Sequence, residues 1–136
     1  MGEKNAEHKI KYTVEFGKTF TLYYSERYSK KTIDKIDDFI EHYEEFGLSQ
    51  WKGKISPSDR VPETYADRTV RIQKAQTHNL WHVHIGEPNW KESFHGKYLV
   101  SDWVLHFKKI DNYTIMLLEL SCHDPMELPS DELLTE

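Results

Sequence analysis

The run Trp81-His82-Val83-His84-Ile85 places two imidazoles two residues apart in a strand-like context, and its spacing is the first feature with chemistry in it. Side chains alternate faces along a strand. Trp81, Val83 and Ile85 therefore share the core side, and His82 and His84 project together from the other. An antiparallel sheet can leave one face open, which predicts that this pair meets solvent. In the stretch 97–108, Leu99, Ser101, Trp103, Leu105 and Phe107 form the more apolar set, so Asp102 and His106 take the opposite face. If the two strands pair, His82, His84, Asp102 and His106 emerge together, and His123 approaches from the end of the following strand. Six of the eight histidines fall between His78 and His123. Imidazoles move protons near neutral pH, so such a cluster suits acid–base work. His8 and His42 read as solvated surface.

Three functions fit these residues. The first is metal-free RNA cleavage, in which the ribose 2′-hydroxyl attacks the adjacent phosphate. That reaction needs a base, an acid and cations to stabilise the charge that develops on the phosphate. The candidate catalytic residues are His82, His84, Asp102, His106 and His123. Lys52, Lys54, Arg68 and Arg71 are the candidate phosphate contacts, and Trp90, in a polar loop and expected to be exposed, is the base-stacking candidate. The second is a cupin-like metal enzyme using the His82/His84 pair as ligands. Its usual Glu falls three or four residues past the second His, a spacing that Glu87 meets and Glu92 overshoots, but the second motif of that fold, with its own Gly, Pro and His, is absent. The third is a non-catalytic module that meets a protein partner through its aromatic loops. Cys122 ends a buried-looking strand and is expected to be inert.

Composition sets the bounds. The chain has 136 residues, enough for one core, and 13% of them are aromatic, which argues against disorder. One cysteine permits no internal disulfide, no apolar run approaches the roughly 20 residues that cross a bilayer, and the polar start lacks a signal-like segment. These features imply a cytoplasmic protein with no membrane partner. The net charge is −5, yet residues 51–109 carry 10 Lys/Arg against 6 Asp/Glu, whereas residues 110–136 carry 7 acidic residues and no Lys or Arg. Only the middle of the chain suits a polyanion.

The elements that must position the histidines follow from periodicity. Residues 1–11 read as a flexible lead-in, 12–123 as a single domain and 124–136 as an acidic tail with a short helix at 131–134. The β-favouring residues of 12–24, broken by Gly17-Lys18, predict a hairpin or bulged strand. Ser29 caps a helix over about 30–46 whose Ile33, Ile36, Ile40 and Tyr43 make one stripe, and Gly47 closes it. Strands are predicted at 69–76, 80–85, 97–108 and 114–121, the last apolar on both faces and so interior. The sum is an α+β domain: an antiparallel sheet of about four strands, an N-terminal hairpin or strand, and one or two helices packed on one face.

The order of these features resembles the YafO family of type II toxins, within the RelE-like superfamily. The resemblance runs over about 38–128. It rests on Phe39-Ile40-Glu41-His42-Tyr43, Gly47-Leu48, Trp51-Lys52-Gly53-Lys54, the strand 80–85, Ser101-Asp102, Leu105-His106-Phe107 and His123. It implies a RelE-like fold and an endoribonuclease (mRNA interferase) toxin that cuts mRNA on the ribosome without a metal or other cofactor and is restrained by a cognate antitoxin. His82, His84, Asp102 and His123 match by position, and His106 is added from strand phase. The candidate base is His84 or Asp102, the candidate acid His82 or His123, with Arg68 and Arg71 as phosphate clamps.

Overall fold

A strand that is apolar on both sides must be covered on both sides, and β7 (Thr114–Cys122) organises the structure for that reason. The structure is a computed structural model that describes residues 11–94, 96–124 and 126–136. The expected lead-in, apart from Lys11, lies outside them. Along the chain come β1 (Thr13–Phe16), α1 (Lys18–Glu26), α2 (Lys30–Phe46), β2 (Ile55–Pro57), α3 (Arg68–Thr77) and β3 (Leu80–Glu87). The short pair β4 (Lys91–Glu92) and β5 (Leu99–Val100) follows, then β6 (Trp103–Lys109), β7 and α4 (Asp131–Leu134).

The main sheet is mixed, in the order β1-β7-β6-β3-β2, with β1 parallel to β7 and the other pairs antiparallel. Among the described residues five strands replace the four or so expected, and helices cover both faces rather than one. On one face, Val83, Ile85, Leu105, Phe107, Ile115 and Leu117 pack under Phe20 of α1 and Ile36, Phe39 and Tyr43 of α2. On the other, Leu80 and Leu118 meet Ala75 of α3 and Leu134 of α4, with Met116, Leu128 and Leu133 alongside. Among the described residues no helix is long and apolar enough to cross a membrane.

The helix α2 forms where periodicity placed it. Ser29 Oγ accepts the Thr32 N–H at 3.2 Å. Gly47 closes the helix with a φ of +68°, where a Cβ would also stand 2.7 Å from the Tyr12 ring, so only glycine fits.

The first half of the expected hairpin forms β1, but its second half and the strand expected at 69–76 are helices instead. In α1, Phe20 and Tyr24 are four residues apart, as are Phe16 and Phe20, and their rings stack with centres 4.9 to 6.1 Å apart. An aromatic ladder at that spacing satisfies a helix facing the core, and it overrides β propensity. In α3, Thr69, Val70 and Ile72 suggested a strand. The only fully buried residue there is Ala75, flat against the second core, and Arg71 and Lys74 hold the helix to the C-terminal segment through Glu127 and Asp131. The acidic tail is therefore docked: Leu134 is buried, and both the Thr19 N–H and hydroxyl donate to Glu136 at 2.7 and 2.8 Å.

Candidate active site

The register between β3 and β6 sets His82 directly opposite His106, with ring centres 6.2 Å apart. The β6–β7 ladder then runs past its last paired residues, Trp103 and Cys122, and the His123 N–H donates to the Asp102 carbonyl at 2.7 Å. That bond fixes the His123 ring 5.7 Å from His82 and 5.0 Å from His84. Four imidazoles from three strands are thus gathered on one face of the sheet. The face is not open, contrary to expectation: α3 and the C-terminal segment cover it. His84 and His106 are buried, and His82 is only 9% exposed.

Each buried ring is held by a hydroxyl or the backbone. Ser58 Oγ, itself buried, is hydrogen-bonded to His82 Nδ1 at 2.9 Å. His84 Nδ1 lies 2.9 Å from both the N–H and the C=O of Ser101, so this backbone can partner Nδ1 with or without its proton. His106 Nε2 pairs with Ser121 Oγ at 2.6 Å, while its Nδ1 is buried with no partner among the described residues. Loss of solvation disfavours the charged ring, and crowding by other imidazoles and Lys54 adds to it. His82 is pushed down to about 3, His84 to about 4 and His106 to about 4, and burial lowers His123 as well. At neutral pH His82, His84 and His106 are uncharged. For His123 alone among these four, a neighbouring carboxylate, Asp124, works in the opposite direction.

A cavity of about 420 Å³ opens onto this cluster, and its chemistry is set by Lys54, Arg60, Tyr65, Arg71, His82 and His123. Met126 and Leu128 of the C-terminal segment form one wall. Arg71 is held in place by the Met126 carbonyl, by Asp67 and by Glu127, and its guanidinium stacks 4.9 Å from the centre of the Tyr65 ring. Cations over neutral imidazoles in a partly enclosed cavity make a site for an anion that also exchanges protons.

The predicted residues divide accordingly. His82, His123, Lys54 and Arg71 line the cavity, and His84 lies behind His123. His106 is wholly buried and does not line the cavity. Asp102 does not join them. The stretch 97–108 is not one strand: it bends at Ser101-Asp102 between β5 and β6, which breaks the alternation, and the Asp102 carboxylate turns out to pair with Lys91 at 2.6 Å. The same bend leaves Trp103 exposed. Arg68 is not a clamp at the cavity; its Nε donates to the Val61 carbonyl at 3.0 Å and braces the wall. Lys52 and Trp90 sit together elsewhere, the ammonium 5.4 Å from the Trp90 ring centre. Trp90 is half-buried rather than exposed, packed on Gly53 and Gly86. Cys122 is exposed, not buried. Arg60, one of the cations of the stretch 51–109 that suits a polyanion, lines the cavity as well. Tyr65, Ser58 and Ser101 were missed as site residues, and no spacing ties any of the three to the histidines.

Among the described residues no group of three or more His, Cys, Asp or Glu is arranged to hold a metal ion, so the cupin-like reading lacks a donor set there. No match to this chain is found among protein-family models, curated proteins or solved structures.

Proposed function

We propose that the chain is a metal-independent endoribonuclease, acting as the toxin of a type II toxin–antitoxin pair on ribosome-bound mRNA. The observation that carries the nuclease reading is the shared cavity: two imidazoles, His82 and His123, with ring centres 5.7 Å apart, together with Lys54, Arg60 and Arg71. The resemblance to the YafO family supplies the toxin, the ribosome and the antitoxin.

In this reading His82 is the base. It is neutral, and donation of its Nδ1–H to Ser58 Oγ leaves the Nε2 lone pair free to take the 2′-hydroxyl proton. His123, whose burial is opposed by Asp124, is the acid for the departing 5′-oxygen. The incoming phosphate supplies the negative charge that favours its protonated form. Lys54, Arg60 and Arg71 hold the phosphate and stabilise the charge that develops on it. Asp102 has no part.

The test is expression together with cleavage of ribosome-bound mRNA in EDTA. The expected result is growth arrest and cleavage, with His82→Ala and His123→Ala each slower by roughly 10²–10⁴-fold, the size of a general acid–base contribution, at unchanged circular dichroism. A wild-type protein that neither cuts nor arrests growth overturns the proposal.

A further inference from the structure

We infer that the same cavity carries a second activity, the hydrolysis of nucleoside 2′,3′-cyclic phosphates to 3′-phosphates. The inference rests on the nuclease reading and extends it to the fate of the product end. Transesterification by 2′-hydroxyl attack leaves a cyclic phosphate on the upstream fragment. It also leaves the two imidazoles in exchanged states, His82 holding the proton taken from the 2′-hydroxyl and His123 neutral after giving its own to the 5′-oxygen. Those are the states that hydrolysis of the cyclic ester requires. His123 takes a proton from water as the water oxygen bonds to phosphorus. The P–O2′ bond breaks, and His82 returns its proton to O2′. One water is consumed, no oxidant or metal enters, and both rings end as they began. An acid and a base exchange roles between two successive steps wherever one pair serves both directions of attack.

Three observations make this more than a formal possibility. First, both rings border one cavity rather than opposite ends of a groove, so a phosphate held by Lys54 and Arg60 lies beside each of them. Second, the cavity, at about 420 Å³, is in the range that holds a small ligand, and it is walled by Val61, Pro62, Met126 and Leu128, so a terminal cyclic nucleotide has room and apolar contact after the downstream fragment leaves. Third, a protonated His82 is badly placed to persist. It is nearly buried, faces His106, His123 and His84, and has Lys54 nearby, so its proton is driven toward the departing O2′.

The test uses the full chain and two substrates: a labelled RNA whose new ends are analysed after cleavage, and free 2′,3′-cyclic CMP or AMP followed by phosphorus NMR. The expected result is RNA ends that pass from cyclic phosphate to 3′-phosphate, with the free cyclic nucleotide converted to the same monoester. His123→Gln and His82→Gln should each slow the second conversion by roughly 10²-fold or more. Lys54→Ala, outside the buried cluster, should slow it with the fold intact. RNA cut to ends that stay cyclic, with free cyclic nucleotide untouched, overturns this inference and leaves the nuclease reading standing. Hydrolysis of the cyclic nucleotide without RNA cleavage upholds the activity and overturns the nuclease reading. Attack on neither substrate overturns both.

Discussion

Acid should unfold this protein through its buried histidines, and His106 is the one whose share can be isolated. It is wholly buried, its Nε2 is bonded to Ser121, and its Nδ1 has no partner among the described residues. Its folded pKa is about 4 against an ordinary 6.5. The unfolded chain binds the proton more readily, so stability is intact above about 6.5 and is lost as the pH falls toward 4. At pH 5 the difference comes to about 2 kcal/mol for this residue alone. Urea denaturation of the wild type and of His106→Leu, each at pH 7.5 and at pH 5, measures it. Leucine keeps most of the volume and removes both the titration and the orphaned nitrogen, and the half-buried Ser121 hydroxyl can turn to water. The variant should therefore be close to wild type at pH 7.5 and should lose about 2 kcal/mol less than wild type between the two values. An equal loss in both proteins would show that His106 is protonated without penalty, and the account of the buried cluster would fail.

Ser58→Ala removes the partner of His82 Nδ1. It should lower kcat about tenfold, worth about 1.4 kcal/mol, at unchanged KM and shift the pH–rate profile, with Ser58→Thr restoring part of the rate. A change in KM alone would place Ser58 outside the machinery. Lys54→Ala should weaken single-stranded RNA binding and reduce the slope of log affinity against log salt by about 0.7, measured by fluorescence anisotropy across a salt series. Leu134→Ala should cost about 2 kcal/mol in urea, the low end for a buried leucine. Because the C-terminal segment walls the cavity, the same substitution should slow RNA cleavage under conditions where the protein stays folded.

What could be foreseen tracks how local its causes are. The α2 helix, with Ser29 and Gly47 at its ends, is written in caps and a stripe that need no partner. So are the alternation that aligns His82 with His84 and the short helix α4. The strands β3 and β7 announce themselves through unbroken apolar or alternating residues. The helices α1 and α3 do not, because what decides them lies far away. Phe20 and Tyr24 choose a helix to meet a core built mostly by later strands, and Ala75 sits flat only because Leu80, Leu118 and Leu134 arrive opposite it. Missing α3 meant missing the cover over the histidines, and so their burial and their depressed basicity. The phase argument placed His82, His84 and His106 on one face and failed for Asp102, since a bend in the backbone resets alternation. Ser58 and Ser101 reach the imidazoles from 24 and 17 residues away, and no spacing rule joins a serine in a loop to a histidine in a strand.

The parallel pairing of β1 with β7 joins Thr13 to Thr114 and closes nearly the whole domain in a single ladder. That closure bears on how the protein reaches its structure. Contacts between residues so far apart give a high contact order, and such topologies fold slowly because the loop entropy is lost before the contacts form. The helices α1 and α2 have no floor to rest on until the β6–β7 hairpin is made, and His123 is carried in on the end of the same β7. The cavity is lined by residues between Lys54 and Leu128 and by none from β1, α1 or α2. Stopped-flow refolding followed by aromatic fluorescence should therefore show a late amplitude, from docking of Phe16, Phe20 and Tyr24, that is separate from the step that brings His123 to His82.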